Sequence, residues 1–231
     1  MSGSLPTIAI VTLSAVLVDV GGTLWPDAWP VDEVARAARV EAVVPGASDV
    51  LPQLVERLEH RADADQAVFE VLTAHALAVD KETAVSVRKA ICSPFRPLGE
   101  PVPGAHELLV AIRRLGKRCV LVSNVSVRDA ELYAIDLSAL GWGELVDDCI
   151  TSIDAGCRKP GAAIFDAALE AARCSPAACV MIGNSEDKDI EPARVRGMRT
   201  VRIAPPTVTS VADVVVGGPA ECISLLERWS T

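Results

Sequence analysis

Positive charge is in short supply in this chain: 22 lysines and arginines stand against 31 aspartates and glutamates, a formal net charge of -9. A surface of that sign repels phosphate backbones and anionic lipid headgroups, which excludes nucleic acid and membranes as expected partners. Histidine is scarcer still, with three residues at positions 60, 75 and 106 that are too dispersed for a metal cluster. Cysteine occurs seven times, an odd count with no CxxC pair, so no disulfide framework is expected. Cys119, Cys149 and Cys179 sit in or beside strand-like runs and read as small buried hydrophobes. No basic segment precedes the apolar stretch from Ile8 to Val18, and Thr12 and Ser14 interrupt it. That stretch therefore reads as neither signal peptide nor membrane span, and a cytoplasmic protein is expected. The only tyrosine, Tyr133, lies on a predicted helix and reads as a packing residue.

What is present is apolar mass: 50% of the 231 residues are hydrophobic and 23% charged, a globular composition large enough for a substantial core. The run Ala15-Val16-Leu17-Val18 fits a strand buried on both faces, and it leads straight into Asp19 and the turn Gly21-Gly22. An acid delivered to a strand end in this way is costly unless it binds a metal or attacks an electrophile.

From Val31 to about Phe95 the pattern changes to apolar residues three or four apart, among them Val34, Ala38, Leu54, Leu58, Val68, Leu72, Val85 and Ile91. This predicts an all-helical insert over residues 30–97, with connections at Pro45-Gly46 and at 61–65. Beyond the prolines at 94, 97, 101 and 103, helices and strands alternate to the end of the chain. Predicted strands cover 119–122, 148–152, 179–182, 200–203 and 213–216; predicted helices cover 106–115, 128–140, 161–172, 190–195 and 220–229. Such alternation implies right-handed crossovers and a parallel sheet covered on both faces. The expected fold is therefore α/β, a Rossmann-like core over 5–29 and 98–231 with the helical segment inserted immediately after Asp19.

Four strand ends then offer polar groups: Asp19 with Thr23, Ser123 with Asn124, Lys159 with Pro160, and Gly183-Asn184-Ser185 through Asp189. A carboxylate, a hydroxyl, an ammonium and a second carboxylate at one sheet edge would form a site for phosphate and magnesium.

The order and spacing of these groups resemble the haloacid dehalogenase-like superfamily. The likeness runs through DVGGTL at 19–24, PVPGAHELL at 101–109, VLVSN at 120–124, Lys159-Pro160, IFDAAL at 164–169 and MIGNSEDKDI at 181–190. The resemblance implies a phosphoryl-transferring enzyme using Mg2+, with a helical cap between the first and second motifs. Asp19 would be the nucleophile and a metal ligand, Ser123 and Lys159 would hold the phosphoryl oxygens, and Gly22, Thr23 and Asn124 would help bind substrate. Gly21, through its carbonyl, Asn184 and Asp189 would complete the metal site, with Glu186 and Asp187 as outer helpers. Trp25, Trp29 and Arg96 are candidates to line the entrance beneath the cap, with core packing the equal alternative for the two tryptophans.

Two positions depart from the family pattern. Gly21 stands where such phosphatases usually carry a second aspartate for proton transfer, help worth roughly 10²- to 10⁴-fold, so slow hydrolysis is expected and Gly21→Asp should speed it. Asn184 replaces a common aspartate and brings no charge. The implied partner is a small phosphorylated substrate or, since some family members are described as protein tyrosine kinases, a phospho-acceptor protein. A metal-independent dehalogenase and a catalytically degenerate binding module are the remaining alternatives.

Overall fold

The computed structural model describes residues 12–27, 31–59, 61–92 and 100–231. Trp29, His60 and Arg96 lie outside the described residues. Six strands, β1 (Ala15–Val18), β2 (Arg118–Ser123), β3 (Asp148–Thr151), β4 (Cys179–Gly183), β5 (Arg199–Ile203) and β6 (Val214–Val216), form one parallel sheet in the order β3-β2-β1-β4-β5-β6. Nine α-helices accompany them among the described residues: α1 (Glu33–Val43), α2 (Leu51–Leu58), α3 (Ala64–Ala74), α4 (Lys81–Ile91), α5 (Ala105–Arg114), α6 (Ala130–Ala139), α7 (Ala162–Ala172), α8 (Glu191–Val195) and α9 (Pro219–Ser230).

The near-continuous apolar strands follow from this layering, because successive side chains point to opposite faces and both faces are dry. Val16, Val18, Cys119, Leu121, Val180 and Ile182 meet Leu108, Ile112, Leu137, Cys222 and Leu226 from α5, α6 and α9. Ala15, Leu17, Val120, Val122 and Met181 meet Ile164, Phe165, Ala168 and Ala193 from α7 and α8. All four residues of β1 are fully buried, and the Asp19 amide continues the ladder by donating to Ile182 O at 2.9 Å. The order of connection reverses at β1, which pairs with β2 on one side and β4 on the other. Open α/β sheets place their ligand crevice outside the carboxyl ends of the strands at such a switch.

Helices α1 to α4 enclose a separate apolar cluster that includes Val40, Leu54, Leu58, Val68, Leu72, Val87 and Ile91. Asp32 caps α1 by accepting from Ala35 N at 2.9 Å, and Asp80 caps α4 by accepting from Thr83 N at 2.8 Å. One expectation from periodicity fails here: Val34 is 82% exposed, because α1 turns Val40 rather than its first turn into the cluster. The inserted bundle is tied to the sheet-bearing part by Arg88 of α4. Its guanidinium donates to Asp65 Oδ1 at 2.5 Å, to Val127 O at 2.5 Å and to Asp129 Oδ2 at 2.6 Å. Asp129 also caps α6 through Leu132 N, so one buried cation joins a cap helix to the loop that follows β2.

Candidate functional site

The tail of β1 bends sharply after Asp19. Val20 O accepts from the amides of Thr23, Leu24 and Trp25, and Gly22 N donates to Trp25 O at 2.6 Å, so the chain doubles back over Gly21 and Gly22. Gly22 has φ +71°, and a Cβ there would fall 2.0 Å from Asn184 Nδ2; only glycine fits between the two loops.

At the carboxyl edge of the sheet Lys159 gathers the acids. Its Nζ donates to Asp19 Oδ1 at 2.5 Å, to Asp189 Oδ1 at 2.6 Å and to Val122 O at 2.8 Å, all in a buried setting. Burial alone would push the Lys159 ammonium down, but the charges of Asp19 and Asp189 outweigh it and hold the group above its ordinary value. Burial, with the charge of Asp19 behind it, prevails over the pull of Lys159 on Asp189 and pushes that carboxyl up to about 6. Asp19 Oδ2 accepts from the Thr23 hydroxyl at 3.0 Å, and Ser185 N donates to Asp189 Oδ2 at 3.0 Å. Ser123 Oγ lies 3.1 Å from the Tyr133 hydroxyl, whose proton is held more tightly than usual chiefly because the ring is buried. Asn124 grips the Lys159 main chain from both sides, accepting from its N–H at 2.7 Å and donating to its carbonyl at 3.0 Å.

These groups open on a cleft of about 620 Å³ lined by Asp19, Gly21, Ser123, Asn124, Lys159 and Asp189 from the sheet edge. Val31, Arg36, Ile91 and Cys92 line it from the inserted segment, so the helical bundle roofs the acids. Arg158 and Arg128 contribute to its wall, the Arg128 guanidinium being buried and paired with Asp136. Sequence reasoning missed Arg36, Arg128 and Arg158, as isolated arginines carry no spacing signal.

Several expected residues stand elsewhere. Trp25 is not an entrance residue: it is 2% exposed and packs on Trp142, ring centroids 5.1 Å apart, because the tight turn throws its side chain back into the core. Thr23 is fully buried and serves Asp19 rather than facing the cleft. Glu186 is committed to structure, accepting from Arg202 Nη1, Ser210 Oγ and Val211 N, each at 2.6 Å. Asp187 is taken by the Ser185 hydroxyl at 2.6 Å. Arg96 and Trp29 lie outside the described residues.

The donor set suits a small hard cation. Two carboxylate oxygens, on Asp19 and Asp189, converge within hydrogen-bond reach of one Lys159 nitrogen, and the Gly21 and Asn184 oxygens belong to the adjoining loops. Magnesium typically takes one or two carboxylates and fills its remaining positions with water and phosphate oxygens. Among the described residues no group of three or more His, Cys, Asp or Glu stands together as a metal cage.

A three-layer parallel sheet with a roofed acid–lysine cluster at its switch point defines an α/β enzyme of the phosphoryl-handling type. Residues 13–197 match the haloacid dehalogenase-like hydrolases, and the chain belongs to that family. It is 25% identical over 198 residues to a glyceraldehyde 3-phosphate phosphatase of Methanothermobacter thermautotrophicus, covering 83% of this chain and 85% of that one. It is 26% identical over 227 residues to an N-acetylmuramic acid 6-phosphate phosphatase of Pseudomonas aeruginosa, covering 94% and 96%. Among solved structures, the hydrolase YfnB of Bacillus subtilis, bound to magnesium, superposes with a TM-score of 0.55 at 19% identity over 93% of this chain and 99% of that one. No helix among the described residues is long and apolar enough to cross a membrane.

Proposed function

We propose that the chain is a magnesium-dependent phosphohydrolase that cleaves a small phosphate ester through an aspartyl-phosphate on Asp19. The observation that carries this reading is the junction of Asp19, Lys159 and Asp189 inside a cleft covered by α1 and α4. Two buried carboxylates and one ammonium leave a net negative pole that a metal cation completes, and the metal, when bound, neutralises phosphoryl oxygens as the anion approaches.

The remaining chemistry belongs to the protein. Thr23 and Lys159 fix the two Asp19 oxygens, so that carboxylate meets phosphorus in one orientation and does not have to be ordered during the reaction. Lys159, itself oriented by Asn124, offsets the repulsion between Asp19 and the incoming phosphate. Ser123, oriented by Tyr133, presents its hydroxyl to the cleft as a donor. The bundle over residues 30–97 acts as the cap: it keeps bulk water from the acyl phosphate and selects the substrate.

The test is a panel of phosphate monoesters with and without magnesium, combined with acid quenching and mass analysis of the Asp19 peptide. Phosphate release that requires magnesium, a phosphorylated Asp19 and loss of both in Asp19→Asn are expected. A labelled nucleotide that transfers its phosphoryl group to protein tyrosine, without free phosphate, would replace hydrolysis by kinase chemistry. Halide release without metal would replace it by dehalogenation.

A further inference from the structure

The space above Gly21 is occupied. A Cβ placed on Gly21 would fall 2.9 Å from Asp27 Oδ1, and one placed on Gly22 would fall 2.7 Å from Asp27 Oδ2. The carboxylate of Asp27 therefore lies over the two glycines, in the volume that a side chain at either position would take. Its arrival there is built in: the turn after Val20 doubles back, Trp25 is pinned in the core against Trp142, and Asp27 follows two residues later. Asp27 lines the same cleft as Asp19, Ser123, Lys159 and Asp189. Unlike Glu186 and Asp187, it is not consumed by structure, since the hydrogen bond it accepts from Asn184 Nδ2 is long, at 3.5 Å. Its side chain is exposed.

We propose that Asp27 is the proton donor and acceptor of this site, reaching from the returning limb of the turn into the space left by Gly21. The inference rests on the hydrolytic reading above. In the first step an Asp19 oxygen bonds to phosphorus, the ester P–O bond breaks, and the protonated Asp27 carboxyl gives its proton to the departing oxygen, leaving as products the alcohol and the aspartyl-phosphate. In the second step Asp27, now a carboxylate, takes a proton from the attacking water as its oxygen bonds to phosphorus; the Asp19–phosphorus bond breaks and the electron pair returns to the Asp19 carboxylate. The sum is ester plus water giving alcohol plus phosphate, with Asp27 reprotonated. On this account the glycines at 21 and 22 are needed so that the acid can arrive from position 27.

The discriminating experiment compares wild type, Asp27→Asn, Asp19→Asn, Gly21→Asp and the double variant Asp27→Gly/Gly21→Asp, each checked for folding by circular dichroism. The two substrates are an alkyl phosphate and p-nitrophenyl phosphate, and quenched samples are scored for phosphorylated Asp19. In Asp27→Asn, turnover of the alkyl ester should fall by roughly 10²- to 10⁴-fold, the usual range for lost proton transfer. Formation of the phosphoenzyme from the nitrophenyl ester should fall much less, because nitrophenolate leaves unprotonated, and the phosphoenzyme should therefore accumulate. The sequence alone predicts that Gly21→Asp speeds hydrolysis; with Asp27 in that space the expectation reverses, and Gly21→Asp alone should not exceed wild type, since its carboxylate would collide with that of Asp27, whereas the double variant should regain at least tenfold over Asp27→Asn.

Asp27→Asn within threefold of wild type on both esters, with Asp19→Asn inactive, would overturn the role of Asp27 and leave the hydrolytic reading standing. Gly21→Asp several-fold faster than wild type would overturn it also, by showing the space and the task unfilled. A wild-type enzyme that neither releases phosphate nor becomes phosphorylated on Asp19 would remove both proposals together.

Discussion

Lys159 and Asp189 lie in different loops, one after β3 and one after β4, yet the lysine Nζ is 2.6 Å from Asp189 Oδ1 while also holding Asp19 Oδ1 at 2.5 Å. One cation thus compensates two carboxylates that are each less than 10% exposed. Removing it leaves like charges facing each other in a dry site. Lys159→Met should cost about 3–5 kcal/mol of stability, the usual penalty for breaking a buried pair, and should lower turnover by at least roughly 10²-fold. Thermal unfolding and phosphate release measured on the same preparation check both; a variant as stable as wild type would mean that the acids are neutral or solvated without the lysine.

The same crowding sets a pH dependence. Burial pushes the Asp189 carboxyl up to about 6, so on acidification it takes up a proton well before an ordinary aspartate would. A protonated carboxyl is a poor metal ligand, and metal binding must then expel the proton. Magnesium affinity should be level above about pH 7 and fall as pH drops through 6. Calorimetry at about pH 7.5 and about pH 5 tests this, with Asp189→Asn expected to bind weakly at both. Equal affinities for wild type would contradict the assignment of Asp189 as a ligand.

Arg88 is 2% exposed and serves Asp65, Val127 and Asp129 at once. Burial raises the Asp129 carboxyl, but Arg88 and the α6 cap overcome it and keep the group below its usual range. Arg88→Met should therefore strand Asp129 and destabilise the protein by about 3–5 kcal/mol. Hydrogen exchange should rise in α4 and in residues 125–129 together, since both lose the same anchor. Because that loop also lines the cleft, KM for substrate should increase more than kcat falls. Exchange confined to α4 would argue against the coupling.

Trp25 offers a test of core against cleft. Trp25→Ala should lower stability by about 3–5 kcal/mol, as expected for emptying a large buried site. Trp25→Phe should restore most of it and leave KM unchanged. A selective rise in KM with unaltered melting would return Trp25 to the substrate.

The sheet was readable because its strands are short apolar runs bounded by turn residues, and β1, β2 and β4 needed no information beyond their own sequence. The meeting of Asp19, Ser123, Lys159 and Asp189 at one edge was readable through the family resemblance. Where reading failed, the deciding contact lay far along the chain. Trp25 follows the motif closely and so suggests the entrance, but its direction is set by Trp142. Glu186 sits in an acidic loop and so suggests metal, but Arg202 and Ser210 claim it. Asp27 gave no signal at all, because its place over Gly21 depends on the course of the turn rather than on spacing. Arg88 carries the joint between the two parts from the inside of a helix whose pattern reads only as amphipathic.

The central position of β1 has a further consequence. Asp19, Ser123 and the loop bearing Asp189 hang from three neighbouring strands whose separation, about 4.8 Å, is fixed by backbone hydrogen bonding. The phosphorus-facing end of the molecule is thus held to a lattice-like gauge that point changes in the bundle do not alter. Bundle residues such as Arg36 are free of that gauge. Grafting a different helical insert between β1 and α5 should consequently change which ester is accepted while the reacting distances stay as they are, a division of labour that lets new substrates be tried without rebuilding the chemistry.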